Sequence, residues 1–220
     1  MIDTRLRACA LVMMLLVACA PSESTPTAAP SVPDSPRVLL ALINHHGEQF
    51  DVDLRERRAG SQEELAAATY ITGHLQLAGY TIRLEDVPVG DLVESSNIMA
   101  LPPQGDPALV VAAPYDSDGQ DASGQALGMF LEVARALNRR EPEHHVEFVA
   151  LGAQLTARGA TTGLSELRRS LDDEGLDPGI FWVTELPSGE VKIEGPQTVI
   201  QGPAVQMGAR LLELLANRDG

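Results

Sequence analysis

Asp116, Asp118 and Asp121 fall within six residues of one another, in the stretch Pro114-Tyr115-Asp116-Ser117-Asp118-Gly119-Gln120-Asp121. Carboxylates this close can hold a hard cation, because each brings charged oxygens to one centre. The same side chains also suit a solvated turn. The order argues against a calcium loop, which needs oxygens at its first, third and fifth positions and glycine at its sixth. Here glycine comes fourth and aspartate sixth. The other reactive side chains offer less. His45-His46 and His144-His145 are adjacent pairs, and neighbours on a strand point to opposite faces. They read as surface or strand-end residues. Ser117 and Ser123 have no His and Asp partners at a recognisable spacing, so a serine hydrolase is unsupported. Gly152, Gly159 and Gly163 make no phosphate-loop pattern, and Trp182 reads as a core or edge residue.

The elements around the acidic loop follow from periodicity. Ala108 to Ala113 is a short, β-branched apolar run, as in a buried strand. Ser123 opens a helix to about Asn138, with Leu127, Phe130, Leu131 and Ala134 at helical spacing. Strand, loop and helix in this order face a shared crevice in an open α/β sheet. Arg37 to Asn44 suits a short helix or a covering segment, and Arg57 to Ser61 a loop. Ser61 is a good N-cap, with Glu63 and Glu64 in the first turn. Its helix runs to about Leu77, with Leu65, Ala68, Ile71 and Leu75 on one face, and Gly79 ends it. Thr81–Val87, Asn97–Leu101, His145–Leu151, Ile180–Thr184 and Val191–Glu194 read as strands. Gln104-Gly105-Asp106 reads as a hairpin turn between the second and third strands, and Pro187-Ser188-Gly189 as another turn. Thr162–Leu171 and Pro203–Ala216 read as helices. Alternation of this kind predicts an α/β layered fold.

The chain of 220 residues supports one folded domain. A formal net charge of −15 and a pI near 4.6 argue against nucleic acid and against attraction to an anionic membrane surface. Arg5 and Arg7 precede an apolar segment, Ala8–Ala18, that is too short to span a bilayer. It ends in Leu16-Val17-Ala18-Cys19, which resembles a bacterial lipoprotein box. The resemblance implies a signal peptide over residues 1–18, lipidation of Cys19 and a membrane-held mature chain. An ordinary secretory signal with Cys19 incidental is the alternative. Ala20 is not the aspartate that retains many Gram-negative lipoproteins in the inner membrane, which points to the periplasmic side of the outer membrane if the source is Gram-negative. Residues 19–36, rich in Pro, Ser, Thr and Ala, read as a disordered tether. With Cys9 removed, no cysteine follows Cys19, so disulfides and a thiolate nucleophile are excluded from the domain at 37–220.

Seven pieces then occur in a telling order: Arg58-Ala59-Gly60-Ser61, Ala67-Ala68-Thr69-Tyr70-Ile71, Leu77-Ala78-Gly79-Tyr80, Ser96-Asn97-Ile98-Met99-Ala100, Val110 to Ser117, Ala122-Ser123-Gly124, and Phe148 to Ala153. Leu131-Glu132-Val133-Ala134-Arg135 fits with them. Together they resemble the co-catalytic di-zinc aminopeptidases, relatives of glutaminyl cyclases and glutamate carboxypeptidases. The resemblance covers about residues 38–215. It implies a mixed, twisted sheet between helices in a three-layer α/β sandwich, with the last strand or strands missing.

The chemistry that the resemblance implies does not carry over. Its first histidine ligand falls on Pro114 and its bridging aspartate on Gly119. The loop looks shortened, so Asp118 or Asp121 could slide into place. Its general base and the adjoining ligand fall on Gln154 and Leu155, and a further aspartate on Glu185. A final histidine is expected past the last helix, beyond Gly220. Only Asp116, which stands behind the metal in the family, is retained. Proline and leucine have no donor, and a glutamine cannot take a proton near neutral pH. The expectation is therefore no catalytic residue, no cofactor and no metal, on a lipid-anchored scaffold used for binding or assembly in the cell envelope. Its protein or peptide partner is not specified. The alternative is an active zinc peptidase with a site rearranged from Asp116, Asp118, Asp121 and Glu185, or completed by another chain. A shortened, decaying gene product is a third reading, which an exposed sheet edge would favour.

Overall fold

The predicted apolar run is strand β4 (Leu109–Pro114), and all of its residues are buried. In the computed structural model, which describes residues 37–90, 94–120, 123–156 and 161–216, it runs through the middle of a seven-stranded mixed sheet. The readings on residues 1–36, Cys19 and Asp121 lie outside the described residues. The other strands are β2 (Thr81–Pro88), β3 (Glu94–Leu101) and β6 (Val146–Leu151) on one side of it, and β7 (Gly179–Glu185), β8 (Val191–Gly195) and β9 (Thr198–Gly202) on the other. Their order is β2-β3-β6-β4-β7-β8-β9. Strand β4 is parallel to both β6 and β7, with Pro114 opposite Leu151 and Val111 opposite Phe181. The remaining pairs are antiparallel. A separate two-stranded ribbon pairs β1 (Glu56–Arg57) with β5 (Ser117–Asp118).

The expected hairpin at Gln104-Gly105-Asp106 is absent, because β6 lies between β3 and β4. The true hairpin joins β2 to β3. Strand β9 had no expectation behind it.

Alternation along the strands sorts the core onto two faces. Ile98, Ala100, Val111, Ala113, Phe148, Phe181 and Ile193 face helices α1 (Leu40–Glu48), α2 (Gln62–Leu77), α3 (Gly124–Arg140) and α5 (Ala204–Ala216). Met99, Val110, Ala112, Val149 and Leu151 face α4 (Gly163–Glu174) through Leu167 and Leu171. Helix α3 is buried over most of its length, Leu127, Phe130, Leu131 and Ala134 included. Glycine lets α1 lie against it: a Cβ on Gly128 would stand 2.4 Å from the Ile43 carbonyl. Among the described residues no helix is long and apolar enough to cross a membrane.

Helix α2 starts as expected, with Ser61 accepting the Glu64 amide, but its buried stripe is Glu64, Ala67, Ile71 and Leu75. Leu65 is 67% exposed. The face turns because Glu64 is tied inward: its carboxylate accepts the Gly60 amide and the Ser95 hydroxyl, both at 2.5 Å. Two histidines also depart from the sequence reading. His46 is buried on α1, where Nδ1 meets the Tyr70 hydroxyl at 2.8 Å. His144 is buried beside Tyr80, and its Nδ1 accepts the Val146 amide. His45 and His145 are exposed.

Candidate functional site

The carboxyl ends of β4 and β7 open onto a cleft of about 280 Å³. Pro114, Leu155, Val183, Leu186 and Pro187 form its apolar wall, and Ser123, Thr184 and Glu185 supply polar groups. Three positions singled out in the sequence, Pro114, Leu155 and Glu185, thus meet in one place. Crevices at the carboxyl ends of parallel strands are where open α/β sheets take ligands.

The wall bearing Leu155 is set by the loop after β6. Each backbone amide from Gly152 to Thr156 is accepted by a side chain from elsewhere in the fold. Asn97 takes Gly152 at 3.3 Å and Glu64 takes Ala153 at 3.4 Å. Asp116 takes the amides of Gln154, Leu155 and Thr156 at 2.6–3.0 Å, and the Thr156 hydroxyl at 2.8 Å. Ala153 sits in the left-handed region at φ 49°, a conformation that only a well-determined loop sustains. These bonds hold it there. Leu155 is left half exposed over the cleft.

The remaining sequence candidates do other work. Asp116 is fully buried, with both carboxylate oxygens engaged by that loop. Asp118 is exposed and accepts the Gln120 amide at 2.9 Å, as in an Asx turn. Gly119 has φ 82°, which a side chain disfavours, and its carbonyl accepts Arg55 Nε at 3.0 Å. Gln154 turns away from the cleft: its Oε1 accepts the Leu164 amide in the first turn of α4. Glu185 Oε2 accepts the Gln125 and Ala126 amides at 2.8 and 3.1 Å. Burial pushes its carboxyl above the usual carboxylate range, against the pull of those two bonds. Asp116, Asp118 and Glu185 therefore do not share a centre. Among the described residues no three His, Cys, Asp or Glu side chains gather to hold a metal ion.

Sequence reasoning missed the residues that fix the floor of the site. The amino end of α3 is capped by two carboxylates from other elements, Glu185 and Asp51, the latter accepting the Gly124 amide at 3.0 Å. Ser123 precedes the helix without capping it. Its hydroxyl instead accepts Arg57 Nη2 at 2.5 Å. Arg57 is buried and also donates to the carbonyls of Phe50, Leu54 and Tyr115. Burial lowers its pKa to about 10, and the charges of Asp51 and Asp116 oppose that shift. Nothing in the local sequence marks Arg57, which is placed by pairing with Ser117 across the β1–β5 ribbon. None of the described residues lining the cleft is a histidine or lysine. A serine bonded to a cation has no base to take its proton.

No family model matches the sequence, and no curated protein matches it. Solved structures do. LapA aminopeptidase of Legionella pneumophila aligns over 66% of this chain and 42% of its own, with a TM-score of 0.53 at 13% identity. LapB of the same organism aligns over 66% and 43%, with a TM-score of 0.53 at 17% identity. A Zn-dependent exopeptidase of Parabacteroides distasonis aligns over 57% and 50%, with a TM-score of 0.49 at 18% identity. The chain thus spans about half the length of the solved structures it matches. The likeness establishes the fold, a mixed α/β sandwich of the aminopeptidase type.

The resemblance read in the sequence implies zinc, and the described residues lining the cleft do not fit it. A catalytic zinc takes three nitrogen, oxygen or sulfur ligands from the protein and a water. The described residues of the cleft offer one carboxylate, Glu185, and its Oε2 is committed to two amides of α3.

Proposed function

We propose that this chain is a lipid-anchored binding protein of the cell envelope, built on an aminopeptidase-type fold and without peptidase activity. One observation carries the reading. The residues at the metal and base positions of the resemblance have structural or apolar roles here. Pro114 and Leu155 wall a cleft, Gly119 makes a turn and Gln154 caps α4, while the retained Asp116 locks the loop beside them. None of these roles calls on a metal. The cleft is near the low end of small-molecule site volumes, and its apolar wall suits one residue-sized apolar group of a peptide or protein partner. The lipoprotein box at Cys19 supports membrane attachment, and residues 19–36 support a spacer between lipid and domain.

Two measurements test the reading together. The purified chain, supplied with zinc, is assayed against a panel of aminoacyl substrates. Its membrane fractionation and lipid labelling are compared with those of Cys19→Ala. No turnover, with lipid label lost in the variant, is the expected result. Chelator-sensitive release of amino-terminal residues overturns the first half, and unchanged labelling overturns the second.

A further inference from the structure

Glu147 lies in the middle of the fold and has no part in the cleft. It is on β6, opposite Val110 of β4, with only 2% of its surface exposed, and its Oε1 has no hydrogen-bond partner. It occupies the face covered by α4. The charged groups around it are Arg83 and Glu85 of β2 and Glu174 of α4. Just before β6, His145 is exposed, with Nδ1 at 3.3 Å from the Asp106 carbonyl. Arg83 is the cation in this group, and it is engaged elsewhere: its Nη1 donates to Glu174 at 3.1 Å.

That engagement matters to α4. Its last turn carries Asp172, Asp173 and Glu174 and no basic residue, so its charges oppose the helix dipole. Asp173 is paired with Arg169 within the helix, whereas Glu174 depends on Arg83 from the sheet. Only Leu167 and Leu171 anchor α4 fully in the core.

We propose that Glu147 and Arg83 form a proton-operated latch on α4. With Glu147 protonated, Arg83 stays on Glu174 and the helix is docked. Once ionised, the buried carboxylate draws Arg83 inward, and the last turn of α4 loses its compensating cation and loosens. Burial holds the Glu147 carboxyl up at about 7, so the change falls in the neutral range.

The test is amide hydrogen exchange on the full chain at pH 5.5 and 8.5, corrected for intrinsic rates, with α3 as internal reference. Protection of α4 should fall by about fivefold or more at the higher pH, while α3 is unchanged. Glu147→Gln should keep α4 equally protected at both values, and Arg83→Gln should leave it weakly protected at both. A loss of the same size in Glu147→Gln, or no loss in the wild type, overturns the latch. Emission of Trp182, the single tryptophan, gives a readout that needs no variant, because it packs against the cluster holding Leu167 and Leu171. A transition near neutral pH is expected, and flat emission across pH 5.5–8.5 contradicts the proposal.

Discussion

Asp116 accepts both the amide and the hydroxyl of Thr156, at 2.6 and 2.8 Å. A carboxylate used in this way is part of the scaffold, since it neutralises donors that the loop would otherwise bury. Asp116→Asn presents an amide nitrogen where an acceptor is required. The expected cost is about 2–4 kcal/mol of unfolding free energy, as for a buried charged hydrogen-bond acceptor. Urea denaturation measures it. A cost near zero would mean that the loop does not depend on the carboxylate.

Arg57 holds the carbonyls of Phe50, Leu54, Arg55 and Tyr115 and the Ser123 hydroxyl from inside the fold. Arg57→Met keeps much of the volume and removes every donor. Those acceptors then stay buried and unpaired, and a loss of about 3 kcal/mol is expected. Arg57→Lys should recover little of it, because one ammonium cannot span the fan of acceptors that a guanidinium reaches. Recovery to wild-type stability in the lysine variant would contradict the geometry.

Gln154→Ala removes the acceptor of the Leu164 amide. The expected loss is about 1 kcal/mol, centred on the first turn of α4, as for other lost helix caps. Exchange of the Leu164 amide should speed up while that of α3 does not. Unchanged Leu164 exchange would show that solvent replaces the bond.

Two buried groups give stability opposite slopes with pH. Burial, reinforced by the charges of His74, His45 and Arg135, lowers the pKa of His46 from 6.5 to about 4. The unfolded chain takes up that proton below 6.5 and the folded chain resists until about 4, so stability drains as pH falls through this window. Glu147 runs the other way. The unfolded chain loses its proton near 4.5 and the folded chain keeps it to about 7, so stability falls as pH rises between them. Each contributes up to about 3 kcal/mol at the far end of its window. The two windows overlap and oppose each other, so chemical denaturation across pH 4–8 should find stability falling more with rising pH in His46→Gln than in wild type, and rising more in Glu147→Gln. Identical slopes in wild type and variants would rule the assignment out.

The parts of the fold legible in the sequence are those that local chemistry decides. Apolar runs marked β4 and β6, Ser61 marked the start of α2, and the face of α3 was read from its spacing. Pairing was not legible. The turn at Gln104-Gly105-Asp106 looks like a hairpin, but β6 arrives from more than thirty residues away to separate its strands. The first turns of α2 bury Glu64 and Ala67 in place of Leu65 and Ala68, because Glu64 has partners on β3 and the 152–156 loop. The five residues of β9 follow a turn too closely to stand out.

In the site, Pro114, Leu155 and Glu185, which the order of the pieces groups, line one cleft. The direction of Gln154 and the grip of Arg57 depend on distant carbonyls and amides, which leave no pattern along the chain. The buried histidines were missed for the same reason. Tyr70 and Tyr80, the partners that satisfy them, lie on other elements.

The most direct test of the central claim is zinc content per chain, for protein purified without chelator, challenged with excess zinc and dialysed. The account predicts less than about a tenth of an equivalent retained, because the described residues of the cleft offer a single committed carboxylate, which cannot supply a zinc site. One or two equivalents surviving dialysis would contradict it, and would turn attention to Asp116, Asp118, Asp121 and Glu185 as ligands.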